Sequence, residues 1–191
     1  MTTILKGNIV SAPACGRLDV TEHGYLIAEN GVITGVYPVL PEQYAGASVE
    51  DYGDGLIVQS FADLHLHAPQ YPMLGMGMDL PLLDWLNAYA FPTEARFAEP
   101  DYARTVYRQL AGELVSCGTT RVCMFSSLHT DATLILMDEL EKAGITGYVG
   151  KVNMDRNGAP GVLEETTEDS MRDTHCGGWM PARISGTSSR S

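Results

Sequence analysis

From Leu56 onward the sequence alternates short apolar runs with helical periods, and that alternation restricts the fold more than any other feature. Three runs read as strands, near residues 57–65, 120–127 and 146–153. Between them, LPLLDWLNAYAF, then PDYARTVYRQLAGELVSCG, then TDATLILMDELEKAG carry helical spacing. Pro100 opens the second of these and Gly118 closes it; Thr130 or Asp131 is expected to cap the third and Gly144 to stop it. Strand–helix–strand order predicts parallel pairing through right-handed crossovers, as in a TIM-type (β/α)8 barrel. A whole barrel takes roughly 250 residues, so the fold class expected is α/β, an incomplete barrel holding its first three or so strands.

Before that point the pattern is different. ILKGNIV, GYLIAEN, GVITGVY and GLIV are short apolar runs separated by turn residues, and Asn30-Gly31 is a strong hairpin signal. Residues 1–58 therefore read as a small all-β unit and residues 59–174 as the barrel portion.

The first barrel run, LIVQSFADLHLHAPQ, reads as a buried strand ending in Asp63, His65 and His67. Strand side chains alternate, so the two histidines share a face and can offer two nitrogens to one zinc-like ion. Read alone, a His-x-His is more often two half-exposed strand histidines than a metal site. The residues around it decide between these readings. The block from His65 to Phe97, with HAPQY, DLPLLDWL and FPTEARF, resembles guanine deaminases of the amidohydrolase superfamily. CGTTRVCMFSSLHTD, YVGKVNMDRN and EETTEDSMRDT look like the same family, so the likeness runs to about Thr174. Gln59-Ser60 departs from it, standing where the family has Pro-Gly.

The resemblance implies hydrolysis of guanine to xanthine and ammonia in purine catabolism or salvage, with one zinc ion. It implies His65 and His67 as metal ligands, and His67, Ala68, Pro69 and Gln70 as the turn that touches the purine; a glutamine amide offers both a donor and an acceptor. It also implies a β-sandwich for residues 1–58 and a homodimer for full-length members. The remaining ligands and the glutamate proton shuttle belong to later strands. The sequence therefore places no catalytic residue within this chain, and a fragment of this kind is expected to hold zinc weakly or not at all and to be inactive. His23, His129 and His175 do not sit where the family has its third or fourth ligand, and Lys151 reads as a packing or hydrogen-bonding residue at a strand end. Other readings are an amidohydrolase acting on another nitrogen heterocycle, which Gln70 and DLPLLDWL argue against, and a non-catalytic stub that associates through exposed barrel edges.

Composition narrows the partners. Twelve basic against twenty-four acidic residues give a net charge of −12, which opposes nucleic acid and anionic membrane as partners. No apolar run approaches the roughly 20 residues of a membrane span, and MTTILKGNIV lacks the features of a secretory signal. Cys15, Cys117, Cys123 and Cys176 form no Cys-x-x-Cys pair, which fits free thiols in a cytoplasmic protein. Gly75 and Gly77 read as a mobile stretch over the pocket, and Trp85 with Leu82, Leu83, Leu86 and Tyr89 as a core stripe. Residues 175–191, HCGGWMPARISGTSSRS, lack helical period and read as an aberrant, disordered tail. Suitable codons read one base out of phase from His175 can spell LRWLDACQDIRNVKPI, which would continue the helix, so a frameshift is expected there.

Overall fold

The computed structural model describes residues 1–177, which divide into two compact units, Met1–Gln59 and Ser60 onward. The first holds strands β1 (Thr2–Ala14), β2 (Arg17–Glu29), β3 (Val32–Tyr37) and β4 (Glu50–Val58). They form one sheet in the order β3-β2-β1-β4, antiparallel except where β4 runs parallel to β1. The expected sandwich is not formed: a sandwich needs two stacked sheets, and all four strands hydrogen-bond into one. Asn30 and Gly31, both at positive φ (51° and 81°), make the predicted tight turn between β2 and β3.

The run LIVQSFADLHLH is not one strand. Leu56–Val58 complete β4, and β5 (Phe61–His67) begins after a break at Gln59-Ser60. Each residue of that break is tied to its own unit. The Ala12 amide donates to Gln59 Oε1 at 3.2 Å, and the Ser60 and Thr120 hydroxyls meet at 2.5 Å. Nor is β5 buried throughout, since it is an edge strand that leaves Phe61 and Leu64 exposed.

In the second unit β5, β6 (Thr119–Phe125) and β7 (Thr146–Gly150) pair in parallel in that order. Helices α3 (Pro100–Ser116) and α4 (Thr130–Lys142) supply the crossovers. The buried side of α3 carries Ala103, Val106, Tyr107, Leu110, Ala111 and Leu114, spaced by three and four, and that of α4 carries Ala132, Ile135, Leu136 and Leu140. These pack with Val122, Met124 and Val149 of the sheet into one core. Gly118 and Gly144 close the two helices at positive φ (79° and 76°), a conformation that costs glycine little. The expected cap on α4 is corrected: His129 occupies the N-cap position, and neither Thr130 nor Asp131 makes a capping hydrogen bond.

Residues 82–95 are helical in three short pieces, α1 (Leu82–Trp85), a π-helical turn at Leu86–Ala90 and α2 (Phe91–Ala95). The stripe expected to be core is only partly so. Leu82 and Leu83 are exposed, while Trp85 is half-buried and donates from Nε1 to the Met76 carbonyl at 2.9 Å. Helix α5 (Thr167–Gly177) continues through the expected boundary at Thr174; the rest of the tail, residues 178–191, lies outside the described residues.

Candidate metal and purine site

The three parallel strands end together. His67 lies opposite Phe125, and Phe125 opposite Gly150. The segments that leave the strands, Ala68–Met73, Ser126-Ser127 and Lys151, therefore share the C-terminal rim, where barrel enzymes build their sites. The ladder runs on past the regular strands, from Ser126 N to Gly150 O (2.7 Å) and from Val152 N to Ser127 O (3.2 Å). These two bonds account for most of the longer third strand expected from the sequence.

His65 and His67 face the same way. Their ring centres are 5.3 Å apart at an interplanar angle of 72°, and Phe125 lies 6.1 and 5.1 Å from them. A register shift between Asp63 and Leu66 interrupts the pairing with β6, and the His65 amide turns to Asp63 Oδ1 at 3.1 Å. Burial, and then the neighbouring His65, hold the pKa of His67 below the ordinary imidazole range. That favours the neutral ring, the form that ligates a metal. Two imidazoles on a tetrahedral zinc with Zn–N of about 2.0–2.1 Å have ring centres roughly 5 Å apart, so the spacing suits such an ion. Among the described residues no set of three or more His, Cys, Asp and Glu side chains gathers as a metal site, so the pair supplies only part of a zinc donor set.

The turn after β5 divides its residues. Ala68 and Pro69 are fully buried, Ala68 within the core cluster, so their side chains fix the path of the chain through the turn. Gln70 is half-buried and donates from Nε2 to Glu94 Oε1 on α2 at 3.0 Å. Burial pushes the Glu94 carboxyl above the usual carboxylate range, opposed by the Gln70 hydrogen bond. Behind it Tyr107 is wholly buried and shares a 3.2 Å hydrogen bond with Ser126. Burial raises its phenol pKa, and the Glu94 charge adds to the rise. Glu94, Tyr107 and Ser126 were not singled out from the sequence. The FPTE run, with Glu94 two residues past a helix-opening proline, was the signal that could have pointed to the first of them.

His129 lies at the same end of β6. Burial, then Lys151, lower its pKa, and its Nε2 is buried with no hydrogen-bond partner. Lys151 has the structural role expected of it. Its side chain is 4% exposed and forms an ion pair with Glu164, itself 6% exposed, while also donating to Asn153 Oδ1 at 2.9 Å. His23 belongs to the first unit, where its amide donates to Asn8 Oδ1, and His175 lies on α5. Gly75 and Gly77 both have positive φ, and a Cβ on Gly77 would come within 2.5 Å of the Tyr89 ring.

A three-stranded parallel sheet with helices packed on it, and paired histidines at the C-terminal end of its first strand, has the layout of part of a TIM-type barrel. The chain belongs to the amidohydrolase family, which it matches over residues 55–177. It is 48% identical to guanine deaminase of Rattus norvegicus over 112 residues, 59% of this chain and 25% of that protein. With guanine deaminase of Dictyostelium discoideum it is 40% identical over 188 residues, 90% of this chain and 42% of that protein. The crystal structure of guanine deaminase from C. acetobutylicum, with guanine bound in its active site, superposes with a TM-score of 0.83 at 40% identity. The overlap covers 93% of this chain and 42% of that one, so the chain spans well under half the length of these relatives.

Proposed function

We propose that this chain carries the first metal-binding strand and the purine-binding turn of a guanine deaminase, a zinc aminohydrolase converting guanine and water to xanthine and ammonia in purine catabolism or salvage. His65 and His67 would hold the zinc through their ring nitrogens, and Gln70 would bind an edge of the purine. Zinc supplies Lewis acidity and lowers the pKa of water toward neutrality. A carboxylate must then move protons to the ring and the leaving amine. We assign that carboxylate and the further ligands to barrel units outside this stretch, so the chain alone should turn over guanine only at background and hold zinc weakly.

One observation carries this reading. The edge-on approach of His65 and His67 on one face of a strand end, with burial favouring the neutral His67 ring, is followed, three residues on, by a glutamine whose amide is held in place. The net charge of −12 opposes nucleic acid or an anionic membrane as a partner, and among the described residues no helix is long and apolar enough to cross a membrane. A cytoplasmic location and a homodimer in the whole protein belong to the same proposal.

A chimera tests it, in which residues 60–174 replace the matching segment of the C. acetobutylicum enzyme. Guanine-dependent ammonia release that is lost in His65→Ala is the expected result. A folded, zinc-loaded chimera inert toward guanine, or active on another heterocycle, would refute the substrate assignment. The alternative of a self-associating stub draws on exposed Phe61 and Leu64 on edge strand β5, and predicts oligomers without zinc dependence.

A further inference from the structure

We infer that Glu94 is a positioning residue for purine recognition: it fixes the Gln70 carboxamide with Nε2 turned inward and Oε1 presented as an acceptor. This rests on the purine role proposed above for Gln70. A glutamine amide is nearly symmetric in shape, and its two ends offer opposite hydrogen-bonding chemistry. Left free, it would greet a donor and an acceptor on a ligand about equally well. An ionised carboxylate only accepts, so a carboxylate beside one end selects the amino group there and sends the carbonyl oxygen to the opposite side. The structure shows that arrangement, with Gln70 Nε2 3.0 Å from Glu94 Oε1. Among the described residues Oε1 makes no comparable bond, and it is not one of the buried polar atoms left without a partner, which are Tyr102 Oη and His129 Nε2. It therefore remains open to a ligand.

The support for Glu94 is itself built. It sits on α2 between Pro92 and the buried Phe97, whose ring stacks on Tyr107 at 4.9 Å. Nearby, the Arg96 guanidinium lies 3.9 Å from the centre of the Tyr102 ring and so is occupied elsewhere. Among the described residues Gln70 is the hydrogen-bond partner seen for the Glu94 carboxylate. The ligand class selected is a heterocycle that turns a ring N–H or exocyclic amine toward Gln70, as guanine can and a purine offering only acceptors on that edge cannot.

The test uses the full chain labelled with 15N. Exchange of the Gln70 side-chain amide protons is followed by NMR without ligand, with exposed Gln43 and Gln109 as internal references, and guanine is then titrated. Exchange at Gln70 should be several-fold slower than at the references. The protection should vanish in Glu94→Ala and return in part in Glu94→Gln, whose carbonyl can still accept. Guanine binding should weaken roughly five- to tenfold in Glu94→Ala, the share of about one hydrogen bond, and Glu94→Ala should cause no further loss in a chain that already carries Gln70→Ala. Unchanged Gln70 exchange in Glu94→Ala, or an equal effect of that substitution in the Gln70→Ala background, would overturn the inference. Wild-type chain that keeps the slow exchange but binds no guanine would support the amide lock and sink the substrate reading instead.

Discussion

Lys151 and Glu164 form a buried ion pair, their side chains only 4% and 6% exposed, that joins the end of β7 to the segment leading into α5. The second Glu164 oxygen accepts from the Met154 amide at 2.9 Å, so the carboxylate is held from two sides. Removing one partner leaves a charge in the interior. Lys151→Met should destabilise the chain by about 3–5 kcal/mol, whereas Lys151→Met with Glu164→Leu should recover much of that loss. Urea unfolding of the three proteins checks it; equal destabilisation of single and double variants would contradict the pairing.

The same carboxylate sets an acid limit. Burial alone would raise the Glu164 pKa, but hydrogen bonds led by Lys151 outweigh it and leave the pKa lowered. A group with a depressed folded-state pKa stabilises above its unfolded pKa and loses that stability as pH falls through the folded value. Stability at pH 6 should therefore exceed stability near pH 3, and the difference should shrink in Glu164→Gln.

Glu94 runs the other way. Its raised pKa, due first to burial, means that the folded state binds a proton more readily than the unfolded chain. Its ionised form costs stability, fully so above the folded pKa, and the cost disappears as pH falls below the ordinary carboxylate range. Gln70→Ala removes the hydrogen bond that restrains the shift, so the Glu94 pKa should rise further. Carboxyl 13C shifts followed against pH report this directly. A Glu94 that titrates at the ordinary value in both proteins would contradict the burial described here.

Glu139 on α4 is 3% exposed at its side chain and meets Arg108 and Arg104 of α3 and Lys142 of its own helix at 3.2, 3.4 and 2.9 Å. The three cations keep exposed heads, so removing one of them should cost under about 1 kcal/mol. Glu139→Ala removes all three partners' common acceptor and should cost more than any single cation. Thermal unfolding of the four variants orders them; a larger loss for Arg108→Ala than for Glu139→Ala would contradict the assignment.

Much of this was legible in the sequence, for identifiable reasons. Helices α3 and α4 announce themselves through apolar spacing and through Gly118 and Gly144, and the Asn30-Gly31 turn through a dipeptide that readily accepts two positive φ values. The pairing of His65 with His67 follows from strand alternation. What could not be read depends on contacts distant in sequence. The break at Gln59-Ser60 exists because Ala12 and Thr120 each claim one of its residues. The single sheet of the first unit depends on β4 returning parallel to β1. Glu94 lies 24 residues from Gln70, and no local pattern announces that the two meet. The His129 cap on α4 escaped because it needs no side-chain bond, only the extended backbone that precedes the helix.

The central claim is that His65 and His67 together bind one zinc ion, and calorimetric titration of the whole chain with zinc at neutral pH tests it most directly. One ion per chain is expected, at roughly micromolar affinity or weaker, far short of the 10–16 kcal/mol of complete structural sites. Binding should be abolished in both His65→Ala and His67→Ala. Zinc uptake unchanged by either substitution, or no uptake by wild type at millimolar zinc, would contradict the metal assignment.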